Sequence, residues 1–257
     1  MPVYNPGTEL VATLDGLRAQ SVPFQLFLVD DGSRTKPDYA KLTHGLNCAT
    51  IELAENVGVT GALNAGLAEI LKQDFELVAR IDNGDICAPT RFAKQQAFLE
   101  QRPDVSILGS WVEMVYAESG KRFVLNHPSG FPACKRMMWS NMPTTHPSLM
   151  IRASLFKNIG LYSDRYDAAE DYDLIRRTAD AGLGIDNVQE VLLHKIETSD
   201  SISWKKRDIQ LNSRLAIQWE HRDLTNFPCI RGLVKTALIR ATPHSILRQI
   251  KQTLGRN

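Results

Sequence analysis

Two apolar segments of strand length each run directly into carboxylates and a glycine turn. The segment from Phe24 to Val29 continues into Asp30-Asp31-Gly32-Ser33, and the segment from Phe75 to Ile81 continues into Asp82-Asn83-Gly84-Asp85. Helical patterns separate these segments, and strands that alternate with helices form a largely parallel sheet. The sequence therefore predicts an α/β fold in which two strands end in acidic residues.

The spacing of apolar residues predicts the other elements. Pro89 allows a helix to begin, with Arg91 and Phe92 in its first turn. Met1 to Gly7 looks like the end of a strand that enters a loop, so either the first strand is very short or a few upstream residues have been lost. Helices are predicted over about Thr8–Gln20, Asp38–Gly45, Pro132–Trp139 and Trp204–Glu220, and a further helix runs from the small-residue segment 56–66 to about Gln73. Strands are predicted over Thr50–Leu53 and Pro103–Val115, and a hairpin is predicted over Gly120–Asn126.

The carboxylates at the strand ends suggest a ligand site. In open α/β sheets ligands bind outside the carboxyl ends of the strands. Asp82 and Asp85 can hold a hard divalent cation through oxygen. Alternatively, Asp82 caps the turn and Asp85 is the N-cap of the next helix. The two acidic strand ends together suit a nucleoside diphosphate held with a metal ion.

The glycine-rich segment from Asn56 to Gly66 opens a helix and has two interpretations. A helix N-terminus approached closely through glycine can face a phosphate group. Close packing of a helix on a sheet also requires glycine and alanine, so this alternative stays open.

A second acidic centre, Glu170-Asp171, lies at the start of a predicted helix over Asp171–Ala181. Acidic residues are favoured in the first turn of a helix by the helix dipole. Capping needs only one acid, whereas this segment also contains Asp173. A carboxylate here could serve as a general base.

Composition excludes several classes of protein. The formal net charge of +1 gives no overall field for nucleic acid. The four cysteines form no C-x-x-C pair, which is typical of a reducing compartment. The sequence shows no secretory signal and no apolar run of about 18 residues. We therefore expect a cytosolic protein, soluble or peripherally attached to a membrane.

The remaining segments contain fewer informative signals. Trp111 and Glu113 could lie at an acceptor cleft, although core packing is an equal alternative for Trp111. In the helix predicted to end at Glu220, a stripe of Leu211, Leu215 and Trp219 is expected to pack on the fold.

The tail over residues 226–257 is basic and amphipathic, and its last residues from Ile230 onward contain no acid. This tail predicts either contact with an anionic membrane surface or a helical hairpin docked on the protein.

Seven motifs follow one another along the chain: Pro2-Val3-Tyr4-Asn5, Val29-Asp30-Asp31-Gly32-Ser33, Asn56-x-Gly58 with Asn64-x-Gly66, Ala79-Arg80-Ile81-Asp82-x-x-Asp85, Leu108-Gly109-Ser110-Trp111-Val112-Glu113, His146-Pro147-Ser148-Leu149-Met150 and Ala169-Glu170-Asp171-Tyr172-Asp173-Leu174. In this order they resemble the motifs of family 2 glycosyltransferases, and the resemblance covers roughly residues 1–205. The resemblance implies an inverting enzyme of the GT-A fold, with a Rossmann-like, mostly parallel mixed sheet. It also implies a catalytic domain over residues 1–225, followed by the helical tail over 226–257.

The resemblance assigns roles to individual residues. It makes Asp171 the catalytic base, with Glu170 beside it, and Asp85 the principal ligand of Mg²⁺ or Mn²⁺, with Asp82 near the ribose or the metal. Many family members have Asp-Ala-Asp-Asp where this chain has Asn83 and Gly84 inside the motif, which removes one possible ligand. The implied nucleotide-sugar-binding residues are Pro2, Tyr4, Asp30, Asp31, Asn56, Asn64, Arg80 and Asp82.

A histidine that often precedes a Ser-x-Ser segment in the family is not assigned here. Ser201-Ile202-Ser203 follows Glu197 and Thr198, and His194 lies further back.

The predicted function is transfer of a sugar from a nucleotide-sugar, expected to be a UDP-sugar, to a glycan or lipid-linked acceptor in surface polysaccharide synthesis. Two alternatives stay open: a sugar-1-phosphate nucleotidyltransferase, and a catalytically silent module that binds sugar nucleotides. The first lacks a glycine-rich triphosphate loop near the start of the chain, and the intact Glu170-Asp171 argues against the second.

Overall fold

The computed structural model describes residues 1–198 and 206–242. The helices are α1 (Glu9–Arg18), α2 (Tyr39–Leu42), α3 (Gly58–Ile70), α4 (Arg91–Gln101), α5 (Phe131–Met138), α6 (Ala153–Ile159), α7 (Glu170–Asp180), α8 (Arg207–Glu220) and α9 (Phe227–Ala241). The strands are β1 (Pro2–Val3), β2 (Leu26–Asp30), β3 (Cys48–Glu52), β4 (Leu77–Ala79), β5 (Ile86–Cys87), β6 (Val105–Tyr116), β7 (Arg122–Leu125), β8 (Met150–Arg152) and β9 (Gly184–Glu197).

The first three strands form a parallel sheet in the order β1-β2-β3. Every residue of the apolar strand β2 is buried, and Val3 pairs with Asp30 at the end of that strand. Because β1 and β2 are parallel, their carboxyl ends meet at one edge. The loops that follow Val3 and Asp30 therefore lie side by side.

The second sheet is mixed, with the strand order β4-β8-β6-β9-β5 and β7 paired to β6. Its longest ladder, between β6 and β9, is parallel, whereas β4 with β8, β6 with β8 and β5 with β9 are antiparallel. The predicted α/β class is confirmed, and the predicted hairpin is the antiparallel pair β6 and β7.

Strands β8 and β9 were not predicted. In β9 the polar residues Asp186 and Asn187 interrupt the apolar pattern, although both side chains are buried. Asp186 accepts a hydrogen bond of 2.6 Å from the Gly130 amide, and Asn187 donates one of 2.9 Å to the Pro128 carbonyl oxygen. Hydrogen bonds to distant loops thus allow polar residues in a central strand.

Helix α4 follows the predicted start after Pro89, and its first residue, Arg91, is fully buried. The guanidinium group of Arg91 donates to the carbonyl oxygens of Arg80 at 2.8 Å and Leu149 at 3.2 Å. The N-cap of α4 is Thr90, and Asp85 lies before β5, so the alternative that made Asp85 a helix N-cap is wrong. Asp85 is therefore free of a capping role.

Helix α8 packs on the fold through a different face from the predicted one. Ile217 and Gln218 are buried, whereas Trp219 is 58% exposed. The side chain of Gln218 donates a 2.7 Å hydrogen bond to the Trp139 carbonyl oxygen, which holds the helix in this rotation. The expected stripe through Trp219 is therefore wrong at that residue, and the predicted start at Trp204 lies outside the described residues.

Helix α9 docks on α8 and on the end of α5. Gly232 lies so close to the Trp139 carbonyl oxygen that an added Cβ would be 1.9 Å from it. Cys229 and Thr236 are buried on this face, and Lys235 donates a 2.8 Å hydrogen bond to the Ser140 carbonyl oxygen. Over Phe227–Ala241 the tail is thus docked on the protein, and the predictions for residues 243–257 lie outside the described residues.

Candidate active site

Asp30 and Asp31 lie at the carboxyl end of β2, and both are buried. Asp30 Oδ1 accepts a 3.0 Å hydrogen bond from the Ser33 amide, and its Oδ2 lies 3.6 Å from Lys36 Nζ. The oxygens of Asp31 accept hydrogen bonds from the Val57 amide at 2.8 Å and from Asn56 Nδ2 at 2.9 Å. Burial raises the pKa of Asp31. The predicted residues Asp31 and Asn56 thus join the end of β2 to the start of α3.

Gly32 makes this junction possible. Its φ of +67° lies in the left-handed region, and an added Cβ would be 2.4 Å from the Glu55 carbonyl carbon. Only glycine fits where the two loops approach each other.

A cavity of about 330 Å³ opens beside the loops after β1 and β2. Tyr4, which comes directly before the lining residue Asn5 in the sequence, is 44% exposed. The Asn5 amide donates a 2.7 Å hydrogen bond to Ser33 Oγ, and the Arg34 amide donates one of 2.8 Å to Asn5 Oδ1. The cavity is large enough for a planar ring system. Its lining consists of Asn5, Pro6, Arg34, Thr35, Lys36 and Pro37.

Pro2 and Asn64 occupy supporting positions. Pro2 is the first residue of β1 and pairs with Val29. Asn64 in α3 donates a 2.8 Å hydrogen bond to the Tyr162 carbonyl oxygen and accepts one of 3.1 Å from the Tyr162 amide. Both polar groups of the Asn64 side chain therefore fix the backbone of Tyr162.

The second acidic strand end follows β4. Arg80 is buried, and its Nη2 lies 2.5 Å from Asp82 Oδ1. The Asp85 amide donates a 3.2 Å hydrogen bond to the Asp82 carbonyl oxygen, which closes a turn. Within this turn Gly84 has a φ of +94°, and its amide donates to Thr13 Oγ1 at 2.9 Å. The departure from the family pattern at Gly84 thus provides a backbone conformation that an alanine or aspartate would adopt only with strain.

The two carboxylates of this turn differ in their electrostatic environment. Burial alone would raise the pKa of Asp82, but the charges of Arg80 and Lys195 lower it to about 2. Burial raises the pKa of Asp85 to about 7 even though Lys195 Nζ lies 3.6 Å from its Oδ1. Asp82 is therefore a permanent anion, and Asp85 is an anion that the protein interior stabilises poorly.

The residues of this turn fit a hard divalent cation. Asp85 Oδ2 is buried and has no hydrogen-bond partner, as expected for an oxygen intended for another ligand. Across residues 1–198 and 206–242, no group of three or more His, Cys, Asp or Glu side chains is arranged around a common point. A cation bound by Asp85 and Asp82 would need its other ligands from a substrate or water. The side chain of His194 contacts Glu113 instead, with Nδ1 2.9 Å from Oε2.

Glu170 and Asp171 begin helix α7. Asp171 Oδ1 accepts a 2.6 Å hydrogen bond from the Tyr172 amide, and Glu170 Oε2 is buried with no hydrogen-bond partner. Burial, followed by the charge of Asp171, raises the pKa of Glu170 to about 7. Burial also raises the pKa of Asp171, opposed by the Tyr172 amide and the charge of Arg214. Two adjacent carboxyl groups with raised pKa values are typical of a proton-transfer site.

Tyr162 lies within the electrostatic field of both acidic centres. Its hydroxyl group lies 2.8 Å from His146 Nε2, and both residues are buried. Burial raises the pKa of Tyr162, and the charges that act on it include those of Arg80, Asp171 and Asp82. Burial and the nearby Arg80 lower the pKa of His146 to about 3, so this imidazole is neutral. The structure thus brings the turn after β4 and the start of α7 into one electrostatic neighbourhood.

Three residues near the acidic centres were assigned no role from the sequence. His146 lies in one of the recognised motifs, whereas Lys195 and Arg214 belong to no motif. Arg214 comes from α8, where no chemistry was expected, and its Cζ lies 5.0 Å from the centroid of the Tyr172 ring. Nothing local in the sequence marks Lys195 or Arg214, because only long-range pairing and packing place them here.

Other candidates have structural contacts. Trp111 is half-buried and donates a 3.0 Å hydrogen bond from Nε1 to the His127 carbonyl oxygen.

Comparison with known proteins identifies the family. Residues 1–160 match the profile of the family described as Glycosyl transferase family 2. An uncharacterized glycosyltransferase of Haemophilus influenzae is 30% identical over 80% of this chain and 76% of its own length. The amylovoran biosynthesis glycosyltransferase AmsE of Erwinia amylovora is 26% identical over 96% of this chain and 89% of its own. The chain belongs to glycosyl transferase family 2 and is therefore a glycosyltransferase by class.

A third relative carries a more specific name. The Escherichia coli UDP-Gal:alpha-D-GlcNAc-diphosphoundecaprenol beta-1,3-galactosyltransferase is 30% identical over 58% of this chain and 52% of its own length. This match covers only about half of either protein.

Solved structures share the fold. S. aureus TarS in complex with UDP-GlcNAc superposes with a TM-score of 0.68, at 17% identity over 92% of this chain and 70% of that one. Mannosyltransferase PcManGT of Pyrobaculum calidifontis, in complex with GDP-Man and Mn²⁺, gives a TM-score of 0.63 at 16% identity over 99% of this chain and 78% of that one. These likenesses confirm the predicted GT-A architecture.

Proposed function

We propose that this protein is an inverting glycosyltransferase that moves a sugar from a UDP-sugar to a hydroxyl group of a glycan or lipid-linked acceptor. The observation that carries the proposal is the meeting of two acidic centres, the Asp82–Asp85 turn and Glu170-Asp171, in one electrostatic neighbourhood that includes Arg80. One centre suits a diphosphate held with a cation, and the other suits a base. Sugar transfer with inversion needs both.

Asp171 would take the proton of the acceptor hydroxyl. As that oxygen forms its bond to the anomeric carbon, the bond from this carbon to the diphosphate oxygen breaks, and the nucleoside diphosphate leaves with the electron pair. Burial raises the pKa of Asp171, and the hydrogen bond from the Tyr172 amide and the charge of Arg214 oppose that rise by favouring the ionised base. The protonation of Glu170 is coupled to that of Asp171, because the charge of Asp171 raises the pKa of Glu170.

The nucleoside would lie across the carboxyl ends of β1 and β2. The cavity lined by Asn5, Arg34 and Lys36 has room for a base, with exposed Tyr4 at its margin. The hydrogen bonds of Asp31 to Asn56 and Val57 would set the shape of this subsite. A UDP donor is supported by TarS, which was solved with UDP-GlcNAc, and by the Escherichia coli relative, whose name specifies UDP-Gal.

Mg²⁺ or Mn²⁺ is the cofactor we propose, held by Asp85 and Asp82. When bound, the cation would offset negative charge on the departing diphosphate. The unpartnered Oδ2 of Asp85 supports this proposal, as does the Mn²⁺ in the PcManGT structure. The role of the protein is to keep Asp82 ionised and oriented, which Arg80 does.

Polysaccharide synthesis on a lipid-linked acceptor is the proposed setting. The name of AmsE specifies amylovoran biosynthesis, and that of the Escherichia coli relative specifies a diphosphoundecaprenol acceptor. The four cysteines are all free thiols, as expected in the cytoplasm. Among the described residues, no helix is long and apolar enough to cross a membrane. From the free thiols and the lipid-linked acceptor named for the Escherichia coli relative, we propose a cytoplasmic location in peripheral contact with the inner face of the membrane.

The surface that supports membrane contact is the outer face of α9. Four large apolar side chains recur there at intervals of three or four residues and are 40–73% exposed. Arg231 and Arg240 are exposed on the same helix, and no acid follows Asp223 in the sequence. An apolar stripe with a basic border suits an anionic lipid surface. The stripe consists of Phe227, Ile230, Val234 and Leu238.

Release of UDP from a panel of UDP-sugars tests the catalytic proposal. The assay compares the wild type with Asp171→Asn, with and without Mn²⁺, in the presence of a lipid-linked acceptor extract. The matched control is Asp164→Asn, which changes an exposed carboxylate in the loop before α7. We expect release that needs Mn²⁺ and is lost only in Asp171→Asn. Binding of UDP without release would support a silent binding module, and equal activity of the two variants would exclude Asp171 as the base.

Flotation with liposomes tests the membrane proposal. The double variant Val234→Asp with Leu238→Asp should abolish flotation with anionic vesicles, whereas Ile209→Asp, at an exposed apolar residue of α8, should not. Neutral phosphatidylcholine vesicles should bind weakly in all cases, because the basic residues lose their partners. Equal flotation of the double variant and the wild type would refute the proposal.

A further inference from the structure

Lys195 lies opposite Asp85 because of the register between β5 and β9. These strands are antiparallel, with Ile86 paired to His194 and Cys87 to Leu193. Continuing the pairing by one residue places Asp85 across from Lys195, where side chains of directly opposed residues meet. Lys195 Nζ lies 3.6 Å from Asp85 Oδ1. The pairing of the strands thus delivers a cation to the carboxylate turn.

Alternation along β9 separates Lys195 from its neighbour. Successive side chains of a strand point to opposite faces. His194 therefore contacts Glu113 at 2.9 Å, whereas Lys195 points toward Asp85. Only 23% of the Lys195 side chain is exposed. Its charge is enclosed with the acidic turn rather than dispersed in water.

When both carboxylates are ionised, the charges of this cluster balance before any ligand binds. Asp82 and Asp85 supply two negative charges, and Arg80 and Lys195 supply two positive charges. Arg80 is committed to Asp82 at 2.5 Å. Lys195 is held less tightly, since 3.6 Å is an ion-pair distance beyond that of a hydrogen bond. Burial would lower the pKa of Lys195, but the carboxylates of Asp85 and Asp82 raise it, so it stays charged.

A divalent cation bound at Asp85 would bring Lys195 and the cation into repulsion. The two could coexist only if a further anion joined them, and the diphosphate of a nucleotide-sugar has two negative charges. A lysine ammonium can rotate to such an oxygen through its flexible stem. Cation and diphosphate binding would then depend on each other through Lys195.

We propose that Lys195 is a diphosphate-binding residue that holds Asp85 while the donor site is empty and turns to the diphosphate when a divalent cation takes Asp85. This inference rests on the proposed function, since it assumes a nucleoside diphosphate donor. Lys195 should therefore weaken the binding of the metal ion alone and strengthen the binding of the nucleotide together with its metal ion.

Binding measurements on Lys195→Met and Lys195→Arg test both effects. Calorimetry with Mn²⁺ alone at pH 8 should show tighter binding to Lys195→Met by about fivefold, because a competing charge is gone. Binding of UDP at saturating Mn²⁺ should weaken by about tenfold in the same variant, through loss of one charge-assisted contact. Lys195→Arg should stay within about threefold of the wild type in both measurements.

Lys94→Met is the matched control. Lys94 lies in α4 and forms an ion pair with Glu190 of β9, outside the acidic turn. The substitution should change neither affinity. General damage to the fold would weaken both ligands in Lys195→Met, so weaker Mn²⁺ binding would overturn the inference. UDP affinity within twofold of the wild type would overturn it as well. Failure of the wild type to bind either UDP or GDP would count against the proposed function, while the Mn²⁺ measurement would still test Lys195.

Discussion

Arg80 and Asp82, two positions apart just after strand β4, form an ion pair in which Nη2 lies 2.5 Å from Oδ1. Residues two apart in an extended chain face the same side, so this spacing brings the two charged groups together. Arg80 is buried, and its carbonyl oxygen accepts a hydrogen bond from Arg91. The orientation of the Asp82 carboxylate is thus fixed from the interior of the protein.

Replacement of Arg80 should lower the catalytic efficiency with the donor. Arg80→Lys keeps a positive charge but loses the planar group that reaches both Asp82 and the Ile81 carbonyl oxygen. We expect kcat/KM to fall by at least about tenfold, the effect of one charge-assisted contact. Steady-state kinetics with the donor varied is the measurement. The control is Arg165→Lys, which alters an exposed ion pair with Glu220, and an equal loss in the control would contradict the prediction.

Asp31→Asn should raise the KM for the donor and reduce stability. The change removes an acceptor for the Val57 amide or for Asn56, which leaves a buried polar group without a partner. Such a loss costs about 1–3 kcal/mol in the free energy of unfolding. Urea denaturation and donor kinetics measure the two effects. Asp38→Asn, which alters a carboxylate that accepts from the Lys41 amide at the N-cap of α2, should leave KM unchanged.

Glu170→Gln should stabilise the protein at pH 8 but not at pH 5. The pKa of Glu170 is about 7 in the folded protein and near its ordinary value of 4.5 in the unfolded chain, because burial and Asp171 oppose its ionisation. Between these two values the folded state holds more protons, so stability falls as pH rises. The glutamine has no charge to bury, and we expect a gain of about 1–3 kcal/mol at pH 8.

Urea denaturation at the two pH values measures this difference. Glu69→Gln, an exposed glutamate paired with Lys72, is the control and should show no such pH dependence. A gain for Glu170→Gln of the same size at both pH values would refute the assignment of the raised pKa to Glu170.

The pH profile of activity should have an acid limb set by the same pair. Asp171 must be ionised to act as base, and because burial raises its pKa, the rate should fall with decreasing pH at a higher pH than for an ordinary aspartate. Glu170→Gln removes the negative charge beside Asp171, so the limb should move to lower pH. The logarithm of kcat/KM against pH is the measurement. A limb that does not move would show that Glu170 and Asp171 titrate independently.

Gly232→Val should release α9 from the protein. A side chain at this position would overlap the Trp139 carbonyl oxygen, because even a Cβ would lie 1.9 Å from it. We expect faster proteolysis after Arg231 or Lys235 and a lower Tm. Val234→Ala, at an exposed position of the same helix, is the control. Unchanged proteolysis of Gly232→Val would indicate that the helix shifts to admit the side chain.

Local signals in the sequence predicted several elements of the fold. The apolar run of β2, the helix after Pro89 and the acidic start of α7 each depend on residues close together in the chain. Their positions in the structure agree with the predictions to within a few residues. The acidic ends of the strands were visible for the same reason, since Asp82 and Asp85 directly follow the segment they terminate.

The sequence by itself thus determined the α/β class and the acidic groups at the strand ends, because hydrophobic periodicity and turn residues act over a few positions. Tertiary structure alone decided the course of β9, the rotation of α8 and the place of Lys195. Polar residues such as Asp186 are tolerated in a buried strand only because distant backbone groups satisfy them. The pairing of Asp85 with Lys195 joins residues far apart in the chain, so its cause is the register of two strands and not a local pattern.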